Sequence, residues 1–203
     1  MCNAYTVRPK LAGRAHELVV SKEIAKLPSN LVRRTGRGVV AVACAEGLTA
    51  RSMRWGIQTP RFDSINNARS DKLASPVWAE SLAKRRCIVP ISSFFEWQEL
   101  PHRAKQPYEF RRRDDDWMWV AGLYATSEKY GDCYATITTE PPEWMVPIHD
   151  RMLAILDFER AMDFLHGGSP PDAPYAGEVL ATPCRSPLRK PGTEGKNQQG
   201  ELF

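Results

Sequence analysis

The sequence predicts an α+β fold built mainly on antiparallel β-sheet, curled into a barrel-like core with a few peripheral helices. Short segments rich in β-branched and aromatic residues recur along the chain, whereas only three segments show helical apolar spacing. The chain has 203 residues, 42% of them hydrophobic, which is enough for one domain with a core and too short for two. We therefore expect a single domain over residues 1–203, with a tail rich in proline and glycine from about residue 167.

The predicted elements alternate along the chain, with strands in the majority. Three segments are predicted helices: residues 16–27, 75–84 and 157–165. Pro76 fits the first turn of the second helix, and Asp157 is placed to cap the amino end of the third. Eight segments are predicted strands: residues 39–44, 50–57, 87–97, 108–112, 117–124, 134–139, 152–156 and 178–181.

Composition and charge exclude several classes of protein. No segment approaches the roughly 18 apolar residues of a spanning helix, and the amino end lacks the apolar run of a signal peptide. The five cysteines are widely spread, without a CxxC pair or a zinc-finger spacing, and no glycine-rich phosphate loop is present. We expect reduced thiols, no metal, no other cofactor and no membrane partner, in a cytoplasmic monomer.

The net charge of +4 permits an anionic partner without requiring one. Arginine stands beside an aromatic ring at Arg54-Trp55 and at Arg61-Phe62. Such pairs suit a single-stranded nucleic acid, because guanidinium groups contact phosphate while rings stack on bases. Ordinary solvent-exposed surface also produces them, so this pattern alone leaves the partner open.

Cys2 is the first candidate for chemistry. Removal of Met1 would leave an α-amine and a thiol on one residue. The pKa of an α-amine is about 7.7–8.0 against about 10.4 for lysine, so roughly 300-fold more of it is free base near neutral pH. The amine can attack an aldehyde, and the thiol can then close a five-membered thiazolidine ring. A cysteine at this position can equally be a small inert residue.

Three further blocks hold polar residues suited to catalysis or binding. Asn67 and Arg69 offer an amide and a guanidinium in one short segment, although an Asx-turn with a surface salt bridge is the commoner origin of that pattern. Glu96 lies among aromatic residues that would raise its pKa and make it a proton donor, unless strand alternation turns it to water. His149 stands beside an acid and an arginine, as a proton shuttle or as a turn histidine.

The order of these blocks is specific: Cys2, then RWG followed by INNARSD, then RRCIVPISSFFEW, then IHDRM. In this order the sequence resembles the SRAP family, the SOS response-associated peptidase domain proteins that cross-link to abasic sites in single-stranded DNA. The resemblance runs from Cys2 to at least Leu156. It implies an SRAP-like fold, a nucleoid-associated location and abasic single-stranded DNA as the partner.

The resemblance also implies roles for individual residues. Cys2 would attack the ring-opened sugar and close the thiazolidine, Asn67 would orient the amine and the sugar, and Glu96 and His149 would move protons.

Arg69 would hold a phosphate, and Trp55 and Phe62 would pack against bases. Arg61 and Arg151 are further expected DNA contacts. Removal of Met1 by the protein itself, a β-elimination (AP-lyase) activity and a peptidase role are implied as well.

The chain departs from the family pattern after Cys2. Asn3 and Ala4 follow it, so the early arginine that would grip a phosphate is missing. We expect Arg33, Arg34 or Arg61 to replace that charge. Two other functions stay open: an N-terminal-nucleophile cysteine peptidase or amidohydrolase, and a single-strand binder without catalysis.

Overall fold

The structure is a computed structural model that describes residues 2–10 and 14–188. The end of the predicted tail, residues 189–203, lies outside the described residues. The helices are α1 (Ala15–Ile24), α2 (Ala79–Lys84) and α3 (Phe158–Leu165). The strands are β1 (Ala4–Thr6), β2 (Leu31–Arg33), β3 (Arg37–Cys44), β4 (Gly47–Trp55), β5 (Asn67–Arg69), β6 (Arg86–Ile91), β7 (Ser93–Glu99), β8 (Lys105–Arg112), β9 (Met118–Ser127), β10 (Gly131–Thr139), β11 (Met152–Leu153), β12 (Ile155–Leu156) and β13 (Val179–Pro183).

Five strands close into a barrel in the order β4, β3, β6, β9, β10 and back to β4. Four of these pairings are antiparallel, and the one between β10 and β4 is parallel. The run Val39–Val42 on β3 is buried at every position, as expected for a strand covered on both faces. The predicted antiparallel, barrel-like α+β fold is confirmed.

Strand β10 pairs with β4 at Cys133 and Tyr134, and then with β5 at Thr136 to Thr138, in the same parallel direction. The chain therefore leaves this line of pairing after Trp55 and returns to it at Asn67. The intervening residues form an excursion whose base is closed by an antiparallel bridge between Ile57 and Ile65. This arrangement carries the asparagines of the sequence block to the edge of the barrel.

A second sheet has the strand order β13, β8, β7, β1, β2. The amino-terminal strand β1 lies inside this sheet, with Tyr5 opposite Phe94 on β7 and Val32 on β2. Because β1 has a neighbour on each side, Cys2 just before it is fully buried. The amino end is thus fixed by sheet pairing.

Some predicted elements differ from the observed ones. The predicted strand 87–97 is two strands in different sheets, because the chain turns at Ser92, whose N–H donates to the carbonyl of Thr6. The second helix begins four residues later than predicted, so Pro76 lies in the turn before it. Asp157 occupies the N-cap position of α3, but its side chain makes no capping hydrogen bond, so that prediction is wrong.

Within residues 2–10 and 14–188, no helix combines the length and the apolar character needed to cross a bilayer. The longest described helix, α1, has ten residues. All five cysteines lie in the described part of the chain, and each is a free thiol.

Two buried tyrosines join the second sheet to the barrel. The hydroxyl groups of Tyr5 and Tyr134 are hydrogen-bonded to each other, and both residues are fully buried. The ring of Trp55 packs edge-on against Tyr5 and parallel to Tyr134. The close approach requires a glycine at Gly38, where a methyl carbon would lie 2.0 Å from Tyr5 Oη and 2.3 Å from Tyr134 Oη.

We predict that Gly38→Ala destabilises the protein by about 1–3 kcal/mol, because the added methyl group overpacks this contact. Chemical unfolding of wild type and variant measures the change. The same substitution in a background with phenylalanine at Tyr5 and Tyr134 should cost clearly less, since both clashing oxygens are gone. An equal cost in the two backgrounds would contradict the packing argument.

Candidate active site and its two clefts

Two asparagine side chains hold the main chain of Cys2. The Nδ2 groups of Asn66 and Asn67 donate to the Cys2 carbonyl oxygen at 2.8 Å and 3.0 Å. Both asparagines are buried, at 8% and 6% exposure. We call this pair of hydrogen bonds the amide clamp. It fixes the backbone of the residue that carries the candidate nucleophile.

Thr136 on β10 sets the orientation of the Asn67 amide. Its hydroxyl donates to Asn67 Oδ1 at 2.8 Å, so the Asn67 Nδ2 group faces the Cys2 carbonyl. The Asn66 main-chain carbonyl accepts from the Thr136 N–H at 3.0 Å and from the Trp55 indole N–H at 2.9 Å. The clamp is therefore supported by strands β4 and β10.

The thiol of Cys2 is a neutral donor in this structure. Its Sγ donates to the carbonyl of Ala4 at 3.2 Å. Burial raises the pKa of the thiol far above its usual range, and the nearby Glu96 carboxylate raises it further. At neutral pH the group is therefore a thiol and not a thiolate.

Glu96 and His149 lie close together in the site, and burial shifts the pKa of each. Glu96 lies on β7 with 3% exposure, and burial raises its carboxyl pKa to about 8. His149 Nε2 lies 3.7 Å from Glu96 Oε2, a close approach that is longer than a hydrogen bond. Burial lowers the pKa of His149, so the imidazole is neutral at neutral pH.

Two groups compete for Nδ1 of His149. The Arg151 N–H donates to it at 3.1 Å, whereas Asp150 Oδ1 lies 2.9 Å away and would need a proton on the same nitrogen. Nδ1 carries either a lone pair, which can accept from the Arg151 N–H, or a proton, which it can donate to Asp150. We assign the Arg151 hydrogen bond to the neutral ring, because Asp150 is 85% exposed and solvated. The proton of the neutral ring is then on Nε2, on the side of Glu96.

The site opens into two clefts that share Asn3. The asparagine cleft, of about 460 Å³, is lined by Asn3, Arg34, Phe62, Ser64, Ile65, Asn66 and Asn67. The histidine cleft, of about 560 Å³, holds Glu96 and His149 and has an apolar wall formed by Val146, Pro147 and Ile148. The structure therefore brings the predicted Cys2, Asn67, Glu96 and His149 together in one place.

Three predicted DNA-contacting residues lie around the asparagine cleft. Phe62 is 53% exposed, and the Arg61 guanidinium lies 5.5 Å from the centre of its ring. Arg34 donates from its side chain to the carbonyl of Ser64 at 3.0 Å and from its main-chain N–H to Asn3 O at 3.1 Å. All three side chains are exposed.

The other predicted DNA-contacting residues are engaged within the protein. Trp55 is fully buried beneath the amide clamp, and Arg151 is 5% exposed and bonded to Thr138, so neither residue presents a face to DNA and these two predictions are wrong. Arg69 forms a two-point salt bridge with Asp71, at 3.0 Å for each contact. Arg33 donates to Pro187 O at 3.1 Å.

Sequence reasoning missed Asn66 and Thr136. The doubled asparagine before Ala68 is the only signal for Asn66, and the family block singles out its second member. Thr136 has no local signal, because its contact with Asn67 spans 69 residues of sequence. Among the residues that the structure describes, no cluster of three or more His, Cys, Asp or Glu side chains could hold a metal ion.

The model of the SOS response associated peptidase (SRAP) family matches residues 1–188. The chain belongs to the SRAP family. The SRAP chain is similar to the abasic site processing protein YoaM of Bacillus subtilis, with 34% identity over 56% of this chain and 55% of the relative. It is also similar to the abasic site processing protein YMR114C of Saccharomyces cerevisiae, with 33% identity over 68% of this chain and 39% of the relative.

Solved structures show the same SRAP fold. A crystal structure of a protein from Bacteroides thetaiotaomicron covers 91% of this chain and 92% of its own, with a TM-score of 0.73 and 21% identity. One from Bordetella bronchiseptica gives a TM-score of 0.71 with 17% identity, over 91% of this chain and 100% of its own. Among the curated Bacillus subtilis relatives, the match covers about half of each relative's length.

We predict that Thr136→Val lowers the free energy of unfolding by about 1–3 kcal/mol, because Asn67 Oδ1 loses its donor while the shape of the side chain is kept. Thr138→Val is the matched control. Thr138 is equally buried on the same strand, and within the described part of the chain its hydroxyl makes only a long contact of 3.5 Å to Ala68 O. Urea unfolding of both variants measures the difference, and equal losses would show that the Thr136 hydroxyl does not support the clamp.

Glu96 should make the protein less stable in alkali. Its carboxyl pKa is raised from 4.5 to about 8, so the folded state binds the proton more tightly than the unfolded chain. The resulting stabilisation is complete below pH 4.5 and is lost as the pH rises through about 8. We predict that Glu96→Gln removes this loss of stability between pH 6 and pH 9. Glu99→Gln, on the exposed end of the same strand, should keep it. The free energy of unfolding of each variant, measured at pH 6 and at pH 9, tests the prediction.

Proposed function

We propose that the protein processes abasic sites in single-stranded DNA by forming a covalent bond between Cys2 and the ring-opened sugar. The observation that carries this proposal is the amide clamp, which holds the main chain of Cys2 at Asn67 while the Cys2 thiol lies near enough to Glu96 for that carboxylate to raise the thiol pKa. The names of the curated relatives, abasic site processing proteins, support the same substrate. Removal of Met1 is required first, because it frees the Cys2 nitrogen.

The bond-forming sequence needs no oxidant and no cofactor. The free α-amine of Cys2 attacks the C1′ aldehyde of the opened sugar and gives a carbinolamine. Loss of water from the carbinolamine gives an imine. The thiol then adds its sulfur to the imine carbon, and its proton ends on the nitrogen, which closes a thiazolidine ring. The net change is aldehyde, amine and thiol to thiazolidine and water.

Glu96 can act as both acid and base in these steps, and His149 supplies a hydrogen-bond donor beside it. With a pKa of about 8, the Glu96 carboxyl is mostly protonated at neutral pH and can donate to the sugar ring oxygen and to the departing water. His149, with its proton on Nε2, can donate a hydrogen bond to the sugar oxygen, and the ionised fraction of Glu96 can accept a proton from the hydroxyl group as the sugar opens and from the attacking amine. If Glu96 instead removed a proton from C2′ of the imine, β-elimination would follow, so an AP-lyase activity uses the same intermediate.

The asparagine cleft suits an unpaired nucleotide beside the lesion. The exposed Phe62 ring offers a face for stacking, and Arg61 and Arg34 stand beside it for phosphate. Arg34 and Arg61 thus supply the charge that Asn3 and Ala4 lack, and Arg69 would join them only by leaving Asp71.

A peptidase or amidohydrolase with Cys2 as nucleophile is less well supported. Such enzymes need a thiolate or a base that removes the thiol proton, whereas burial here raises the pKa of the Cys2 thiol. Ring closure on an imine needs no thiolate in advance, because the imine nitrogen takes up the proton. The chemistry of the site therefore favours aldehyde capture.

We predict that the protein without Met1 forms a denaturation-resistant adduct with single-stranded DNA in which uracil-DNA glycosylase has created an abasic site. Cys2→Ala should abolish that adduct. Cys2→Ser keeps the amine and loses the sulfur, so it should give an adduct only after borohydride reduction. Substitution of Glu96 or His149 should slow the reaction by about 10²–10⁴-fold.

Intact-mass measurement before and after the reaction reports both Met1 removal and adduct formation. Undamaged DNA of the same sequence is the control for trapping. An adduct that survives Cys2→Ala, or no adduct with wild-type protein shown to lack Met1, would overturn the proposal.

A further inference from the structure

The excursion between β4 and β5 carries a rigid tip that lines the asparagine cleft. The Thr59 N–H donates to Phe62 O at 2.8 Å, and the Phe62 N–H donates back to Thr59 Oγ1 at 3.0 Å. This turn directs Arg61 and Phe62 outward. We call residues 58–64 the 58–64 loop, and its end leads directly into the asparagines of the amide clamp.

The turn between β9 and β10 holds this loop from a distant part of the sequence. The Tyr130 hydroxyl donates to the Asp63 carboxylate, with both oxygens at 2.9 Å, and Lys129 Nζ lies 3.5 Å from Asp63 Oδ1. Ser127 Oγ donates to Gln58 Oε1 at 2.6 Å. The loop is therefore attached at both of its ends to one β-turn.

Tyr130 is itself held in place. The Arg54 guanidinium lies 3.9 Å from the centre of the Tyr130 ring, and it donates to the carbonyl of Gly56 at 2.5 Å. The Tyr130 hydrogen bond lowers the pKa of Asp63, so the acceptor is a carboxylate at neutral pH. Hydrogen bonds to a charged acceptor are shorter and stronger than neutral ones.

The geometry points to Tyr130 and Asp63 as positioning residues that fix the 58–64 loop, and with it Phe62, as the docking surface for the unpaired nucleotide next to the reacting sugar. We call their hydrogen bond the latch. The assignment rests on the proposed function for the identity of the ligand. Neither residue touches the reacting atoms, so the latch should affect how a strand binds and leave the chemistry at Cys2 unchanged.

The test separates binding from chemistry. Tyr130→Phe removes only the donor oxygen, so we expect it to weaken the binding of an undamaged single strand by about 3- to 10-fold. The rate of adduct formation at saturating abasic DNA should stay at the wild-type value. The rate with the small aldehyde 2-deoxyribose, which carries no neighbouring nucleotide to dock on Phe62, should stay unchanged as well.

Two further comparisons show that the bond itself is responsible. Asp63→Asn keeps an oxygen for Tyr130 and should weaken strand binding less than Asp63→Ala. The double variant Tyr130→Phe with Asp63→Ala should bind no worse than Asp63→Ala alone, because both changes remove one interaction. Tyr124→Phe is the matched control: Tyr124 is a half-buried tyrosine on β9 that lines a different cleft, and this variant should bind as wild type.

Fluorescence anisotropy with a labelled undamaged strand gives the dissociation constants without any adduct. Equal affinity for the Tyr130→Phe and Tyr124→Phe variants would overturn the latch. The latch would also be overturned if Tyr130→Phe slowed the reaction with 2-deoxyribose by the same factor as it weakened strand binding, because the effect would then lie in the chemistry. Failure of the wild type to form an adduct would instead contradict the proposed function and would leave these affinities interpretable.

Discussion

The site depends on two amide groups that bind one carbonyl. An amino-terminal residue ordinarily has few contacts, yet Cys2 is placed before a strand with a neighbour on each side and its carbonyl accepts from Asn66 and Asn67. The clamp in turn needs β5 beside β10, because that pairing puts the Thr136 hydroxyl on the Asn67 amide. The barrel thus controls the geometry of the first residues of the chain.

The strand segments at β3, β6 and β9 could be predicted from sequence because each buries a continuous run of mainly apolar residues. Strands β1, β2 and β5 could not be, because three residues carry no periodicity and their pairing is decided by neighbours. The split of residues 87–97 was missed for a related reason. A continuous apolar run does not reveal that its halves belong to different sheets.

The residues of the candidate site could be predicted where the order of the motifs pointed to them. They could not be predicted where a contact between residues distant in the sequence determines their position. Cys2, Asn67, Glu96 and His149 gather as the resemblance implies. Trp55 was assigned to DNA because an indole beside an arginine suits a base, but its N–H is needed inside, on the carbonyl of Asn66. The latch was not predictable at all, because Tyr130 and Asp63 are 67 residues apart.

In the proposed reaction, burial of the site accounts for both its selectivity and its acid. An exposed thiolate would react with many electrophiles, whereas the buried Cys2 thiol is protonated at neutral pH and, in the proposed reaction, adds only after an imine has formed on the nitrogen of the same residue. The same low-polarity surroundings keep Glu96 protonated near neutral pH, so the acid is present when water must leave. In the proposed reaction, the aldehyde of the opened sugar supplies the carbon of that imine. A site that disfavours charge thus discriminates by reaction order, since the amine must act before the sulfur can.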